Sequence, residues 1–431
     1  MSENFKSHSP RDNLAQWLCY LETIHSSEID LGLSRINSVA QRLNIDFSFA
    51  KVITVAGTNG KGTTCAFLEN FLLTEDKTVA VYSSPHIEKF NERLRISRVD
   101  VEDLPLIDAF EKIEKARGDI SLTYYEYTTL AAFIILMAVR PEIIILEVGL
   151  GGRLDATNII DADIAVITTI DLDHQAFLGN TRELIGFEKA GILRSQQLAV
   201  LGDTAPTISI INYAKEINVQ LKVRQQDFIV DTSGAQWSWS YEQLVLDKLN
   251  KTNIPQDNVA TALMVLHLLG IKLTNKKVNQ AIKLTKVAGR TELFKENCDV
   301  LLDVAHNPQA ARYLAQYIAH LKSKNNYQRV IAVVGMLSDK DISNTLKPML
   351  AIIDDWFIGE VLAPRSASKA DIWQQLNKNL GNHLSTNTKL LNCFDNITQA
   401  FKMANKNSNE TDLIVVFGSF YTVAEIRRLM I

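Results

Sequence analysis

The sequence predicts an α/β protein in two units, each a mostly parallel sheet covered by helices. Three observations carry that expectation. From Lys51 onward, short apolar runs rich in β-branched residues alternate with longer helical patterns, as in strands joined by crossover helices. After VAGRTELF the alternation restarts with a second set of strands. The length of 431 residues also exceeds what one hydrophobic core usually supports.

In the first unit the predicted strands are KVITVAG, TVAVYSS, EIIILEVG, DIAVITTI and LAVLGD. Helices are predicted over 62–73, 101–116, 126–139 and 181–190. QWSWSYEQLVLDKL alternates in polarity and reads as a small antiparallel addition, followed by helices over 258–269 and 275–284. The second unit contributes DVLLDVA, RVIAVVG, DWFIGEV and DLIVVFG. The boundary falls within 286–299, giving a larger N-terminal domain, 1–289, and a smaller Rossmann-like C-terminal domain, 290–431.

Composition narrows the function classes. A hydrophobic fraction of 46% and a charged fraction of 22% suit a folded globular chain. The formal net charge of -4 and the lack of a basic stripe argue against a nucleic-acid partner. The apolar runs 130–139 and 143–146 are broken by Arg140, Pro141 and Glu142 and are too short to span a bilayer, so no membrane partner is expected. The polar start MSENFKSHSPRDN has no apolar signal region and reads as the frayed lead-in of a cytoplasmic protein. Cys19, Cys65, Cys298 and Cys393 are scattered without a CxxC pair, which indicates neither a disulfide framework nor a zinc site.

Chemistry is concentrated at strand ends. VAGTNGKGTTC sets Gly57, Thr58, Asn59, Gly60, Lys61, Gly62 and Thr63 between a strand and a helix, where backbone N–H groups converge on phosphate and the lysine adds charge. A standard phosphate loop follows its lysine with Ser or Thr to help hold magnesium; here Gly62 follows, so metal ligands are expected from other strand ends. Ser84, Glu147 and His174 occupy such ends. Each also has an ordinary reading: a turn cap before Pro85, a partner for Arg153 and a hydrogen-bonded loop histidine. Histidine is unusual for magnesium, so spacing alone does not assign the metal. Lys189, in FEKAGI, reads by residue type as a solvated lysine or a helix C-terminal cap. DVAHNP sets Asp303, His306 and Asn307 between another strand and helix, and Arg290 beside Gly289 can follow a domain closure or serve as an ordinary linker arginine.

From about Asp30 to the C-terminus, AGTNGKGT, YSSPHIEKFNERLRI, EVGLGGRLDATN, ITTIDLDH, FEKAGI, PQDN, LDVAHNP and FGSFYTVAEI resemble the Mur ligase superfamily, in its folylpolyglutamate synthase branch. DLGLSR, SLTYYEY and LDATN look like the bifunctional bacterial form that is also a dihydrofolate synthase. The resemblance implies a phosphate-loop ATPase domain ahead of the C-terminal domain. It implies an ATP-dependent ligase joining L-glutamate to dihydropteroate and to reduced folates, with a monomer as the expected state. Two magnesium sites would be served by Ser84, Glu147, His174 and Lys189, the last as a carbamylated lysine, which overturns the surface reading. Lys61, His174 and Lys189 take the catalytic roles. Asn258, Arg290, Asp303 and His306 join the glycine loop around ATP, and Asp30, Leu31, Gly32, Thr123, Tyr125 and Asp155 border the pterin. Asp171, where a small residue is usual, and Tyr125, where another aromatic is usual, depart from the family pattern. The rival readings are a monofunctional folylpolyglutamate synthase, a peptidoglycan-precursor ligase and a nucleotide-binding regulator without ligase activity.

Overall fold

Eight strands form the first sheet of the computed structural model, which describes residues 11–431 except 28, 235, 253, 364 and 381–390. The first ten residues of the polar lead-in lie outside the described residues. The strands are β1 (Lys51–Ala56), β2 (Val79–Tyr82), β3 (Leu94–Ile96), β4 (Val99–Asp100), β5 (Ile143–Glu147), β6 (Ile164–Ile167), β7 (Leu198–Leu201) and β8 (Gln220–Val223). Their order is β4-β3-β2-β5-β1-β6-β7-β8. The pairings from β2 to β8 are parallel, whereas β3 and β4 add an antiparallel edge. The central strands are continuous apolar runs because helices cover both faces. Phe67, Leu68 and Phe71 of the helix Lys61–Leu73 pack with Leu263 and Leu266 on one side; Tyr127, Leu130 and Phe133 pack with Phe110 on the other.

A three-stranded antiparallel sheet, β9 (Phe228–Asp231), β10 (Trp237–Tyr241) and β11 (Leu244–Leu249), follows. The expected hairpin is present, and β9 extends it. Its FIVD run alternates buried and exposed residues and buries Phe228 against Trp239.

The second sheet contains β12 (Glu292–Lys295), β13 (Asp299–Leu302), β14 (Val330–Val334), β15 (Asp355–Gly359), β16 (Leu391–Phe394) and β17 (Leu413–Phe417). They run in the order β12-β13-β17-β14-β15-β16, with only β12 antiparallel. The first sheet reverses its winding at β1, which lies between β5 and β6. Such a switch point opens a crevice beyond the strands' carboxyl ends. The loops after β13, β14 and β17 face that crevice from the second sheet. Among the described residues no helix is long and apolar enough to cross a membrane.

Candidate active site

The glycine loop is held open by its neighbours. Gly60 has φ of 89°, in the left-handed region, and a Cβ there would lie 2.4 Å from Asn258 Oδ1. At Gly57 a Cβ would overlap Thr168 Oγ1. Lys61 opens the helix and folds back, its Nζ donating to the carbonyl oxygens of Gly57 at 3.0 Å and Thr58 at 3.4 Å. Desolvation lowers its pKa, opposed by the carboxylates of Glu147 and Asp173. At Gly62, where the standard loop carries a hydroxyl side chain, a Cβ would stand 3.5 Å from Glu147 Oε2. The carboxylate of a neighbouring strand therefore reaches the space that a Ser or Thr would have used.

Ser84, Glu147, His174 and Lys189 all line one cleft of about 660 Å³ with the glycine loop. Glu147 is 6% exposed, and its expected partner Arg153 instead pairs with Glu188. Among the described residues Glu147 has no salt bridge, and the Ser84 backbone N–H turns toward it. Burial raises the Glu147 pKa against the pull of Lys61, Arg290 and Arg95. Burial also lowers His174 to about 4, aided by the Lys340 charge, so the ring is neutral at physiological pH. Among the described residues no three His, Cys, Asp or Glu side chains cluster as metal ligands. The candidate set differs in chemistry: a buried carboxylate without a salt bridge, a hydroxyl and a neutral imidazole, which together fit a divalent cation.

Lys189 is not a solvated lysine. It is 4% exposed, lines the cleft, and its side chain makes no hydrogen bond or ion pair among the described residues. Desolvation, and then repulsion from Lys61, lower its pKa to about 7.

The opposite wall carries His306, Lys340, Arg365, Ser419, Phe420 and Arg428. Arg290 joins it, with its guanidinium carbon 5.2 Å from the Phe420 ring centre. Thr63, Asn258 and Asp303, expected around ATP, instead stand behind the surface of the cleft. Asn258 Nδ2 donates to Thr63 Oγ1 at 2.6 Å, and Asp303 accepts from the backbone N–H groups of Thr291 and Ala305. The buried hydroxyl and carboxylate are thus occupied in bracing the glycine loop and the 289–306 turn.

The sequence reading missed Asp173. It accepts from Lys340 Nζ at 2.7 Å and Asn307 Nδ2 at 3.1 Å, and faces His306 Nε2 at 3.4 Å. Burial opposes its ionisation, but His306, Lys340 and His174 outweigh that and hold its pKa below the usual carboxylate range. Asn59 and Asn307 exchange side-chain amide hydrogen bonds, and Asp171 meets Arg312 at 2.8 Å. The two sheets are therefore tied directly across the cleft. The adjacency of Asp173 to His174, from whose backbone N–H it accepts, was the available signal; its partners across the cleft lie 133 to 167 positions away.

A second cavity of about 220 Å³ is lined by Asp30, Leu31, Gly32, Thr123, Tyr125 and Asp155, the whole set expected beside a pterin. Asp155 is saturated. It accepts from the backbone N–H groups of Gly149, Leu150 and Thr157, the Thr157 hydroxyl and, at 3.4 Å, the Tyr125 hydroxyl. It shapes the pocket wall by fixing the GLGG turn. Ser84, Pro85, Arg93, Gly149, Leu150 and His174 border both cavities.

The family description "Mur ligase middle domain" matches residues 55–266, and "Mur ligase, glutamate ligase domain" matches 289–420. The chain is 42% identical over 417 residues to the dihydrofolate synthase/folylpolyglutamate synthase of Escherichia coli (strain K12), covering 97% of this chain and 95% of that relative. The solved E. coli FolC in complex with DHPP and ADP is similar with a TM-score of 0.91 at 40% identity, over 98% of this chain and 99% of that one. A bifunctional folylpolyglutamate synthase/dihydrofolate synthase crystallised with Mn, AMPPNP and L-glutamate gives 0.88 at 41%, over 98% and 99%.

Proposed function

We propose, from the premise that this chain belongs to the dihydrofolate synthase/folylpolyglutamate synthase family of Mur ligases, how its residues divide the work of an ATP-dependent glutamate ligase. The reaction joins L-glutamate to dihydropteroate, forming dihydrofolate, and to tetrahydrofolate and its polyglutamates. The observation that carries this reading is the junction between the two cavities. An acceptor held in the smaller one can extend its carboxyl group into the larger one, past Ser84 and His174.

ATP lies along the glycine loop, with Gly57, Thr58, Asn59, Gly60, Gly62 and Lys61 toward its phosphates and Arg290 and His306 opposite. The acceptor carboxylate attacks the γ-phosphate to give an acyl phosphate and ADP. Two anions meet in that step, and Lys61 with the loop N–H groups offsets their repulsion. The amine of glutamate then attacks the activated carbonyl and phosphate departs. Divalent metal, with magnesium as the working ion, supplies further charge neutralisation when held by Ser84, Glu147 and His174, and at a second site by carbamylated Lys189. The carbamate is favoured by the chemistry of that amine. A lysine near neutrality at about 7 offers a lone pair to carbon dioxide at physiological pH, and an unpartnered buried amine gains a role once it becomes an anionic ligand.

The domain division at 289/290 is supported by the start of the second sheet at Glu292. A cytoplasmic monomer is our reading, since all four cysteines are free and one chain supplies both walls of the cleft. The test is to give purified protein ATP, magnesium and L-glutamate with dihydropteroate or tetrahydrofolate in turn. Phosphate release and amide product with both acceptors are expected. Product from the folate alone would make the enzyme monofunctional, and nucleotide binding without acceptor-dependent phosphate release would make it a regulator.

A further inference from the structure

Arg93 is the one cation among the residues bordering both cavities. It ends the short 3-10 turn Phe90–Arg93, and its backbone carbonyl accepts from Ser83 N–H at 2.8 Å, anchoring the chain beside the strand end that carries Ser84. The half-buried guanidinium is aimed by three neighbours. Its Nε donates to His86 Nδ1 at 3.0 Å, and its central carbon lies 5.7 Å from the Phe90 ring centre and 5.6 Å from that of Tyr124. Those rings are perpendicular to one another at 6.2 Å, and His86 packs edge-on against Phe90 at 6.1 Å.

The arrangement uses only one edge of the fork. Among the described residues, no hydrogen bond or ion pair engages either Nη of Arg93. Two of the other arginines lining the larger cavity are engaged, Arg365 with Asp339 and Arg428 with the Glu88 carbonyl, whereas Arg290 shares the open guanidinium but borders only the larger cavity. A guanidinium packed by aromatic rings, fixed through Nε and left with its planar Nη pair is suited to a planar carboxylate. The position also matters. An acceptor reaching from the smaller cavity to the nucleotide must pass this residue with its carboxyl end.

We propose that Arg93 is a positioning residue that grips an acceptor carboxylate at the junction and sets its line of approach to the phosphate. The inference rests on the reading of the smaller cavity as the pteroate site and adds the residue that recognises the reacting end. Selectivity follows from chemistry. An acceptor carrying a neutral carboxamide offers one acceptor atom and no charge, so it should forfeit the contact while retaining every interaction of its ring system.

The experiment is calorimetric titration of the full chain, holding ADP and magnesium, with dihydropteroate and with its carboxamide. Wild-type protein should prefer the carboxylate by about 10- to 100-fold, the range expected of a charge-assisted contact. Arg93→Ala should bring the two ligands to within about twofold by weakening the carboxylate alone. Arg93→Lys, which keeps the charge and the stem but not the fork, should retain part of the preference and guards against a misfolded alanine variant. In turnover, Arg93→Ala should raise the acceptor KM and leave the ATP KM unchanged. Equal weakening of both ligands would reduce Arg93 to a structural prop and overturn the inference, as would an undiminished preference. Failure of the wild type to bind either ligand would overturn the assignment of the cavity itself, and the inference with it.

Discussion

The wall grown from β1, β5 and β6 and the wall grown from β13, β14 and β17 meet the same space with different construction. The first satisfies its lysine and hydroxyl locally: Lys61 bonds to Gly57 and Thr58, four and three residues away, and Thr63 returns to Gly60. The second is rich in cations and finds partners on the opposite side, with Lys340 and His306 on Asp173 and Arg312 on Asp171. A loop completed by its own neighbours is ready whether or not the walls have met. The Lys340, His306 and Arg312 charges are matched only when they have, whereas Arg365 pairs with Asp339 of its own wall. Chemistry is therefore assigned to the first wall and closure to the contacts between them.

The largest effect expected from this division is at Lys61. Lys61→Ala should reduce ligation by about 10²- to 10³-fold or more, since it removes preorganised charge at the γ-phosphate. The melting temperature should scarcely move, because the side chain bonds only to its own loop. Turnover and circular dichroism on the same preparation check both halves. Near-normal turnover would hand the phosphate charge to the second wall.

Lys189 tests the same wall in another way. Lys189→Ala should lose most activity and recover part of it with acetate or formate, small carboxylates that can stand in for a carbamate. With the wild-type amine titrating near 7, its neutral form grows as pH rises through that value. Carbamate occupancy at constant dissolved carbon dioxide should rise in the same direction, as read by native mass spectrometry. An unmodified lysine in a fully active enzyme, and an active alanine variant, would end this assignment.

Asp173 probes closure. Its side chain and that of Lys340 are 9% and 8% exposed, so Asp173→Asn would leave a buried ammonium without its counter-ion, at a cost of about 3–5 kcal/mol. Adding Lys340→Met should recover much of that stability in denaturant titrations. The pH sign follows from the depressed pKa of Asp173. Its stabilisation is complete above the unfolded carboxylate's titration near ~4 and drains away as pH falls through the folded-state value. A variant as stable as wild type would show that the walls close without this ion pair.

Legibility in the sequence divides along the same line. The central strands could be read because burial on both faces makes each a continuous apolar run; β5 is IIILE and β14 is VIAVV. Edge strands such as β8, QLKV, and β12, ELFK, carry too few apolar residues to announce themselves. The glycine loop could be read because its parts are contiguous. Lys189 could not be read from residue type, since its burial comes from the packing of its helix between the GLGG turn and the 207–216 segment. Gly152 and Gly186, against Lys189 and Thr207, mark those close approaches. Asp173 was hidden for a related reason: a loop aspartate gains meaning only from Lys340 and His306, which another sheet delivers.

The smallest effect is expected at Asp171, and it sharpens the comparison most finely. The residue reaches Arg312 across the cleft, but the two side chains are 21% and 55% exposed. Water and salt screen such a pair, which limits it to about 0.2–1 kcal/mol. Its other bonds are a side-chain one, Oδ1 accepting from Leu172 N–H at 2.8 Å, and two through the backbone: Thr58 Oγ1 donates to Asp171 O at 3.0 Å and accepts from Asp171 N–H at 3.1 Å. Asp171→Asn keeps those bonds and removes only the charge. The variant should lose less than about 1 kcal/mol in denaturant titrations at low salt, and nothing measurable near 1 M salt, where the screening length is about 3 Å. The loss at Asp173→Asn, between groups sheltered from water, should persist at that salt concentration. If both losses vanished with salt, the Asp173 contact would be as open to solvent as the Asp171 pair, and closure would rest on the Asn59–Asn307 amide exchange instead.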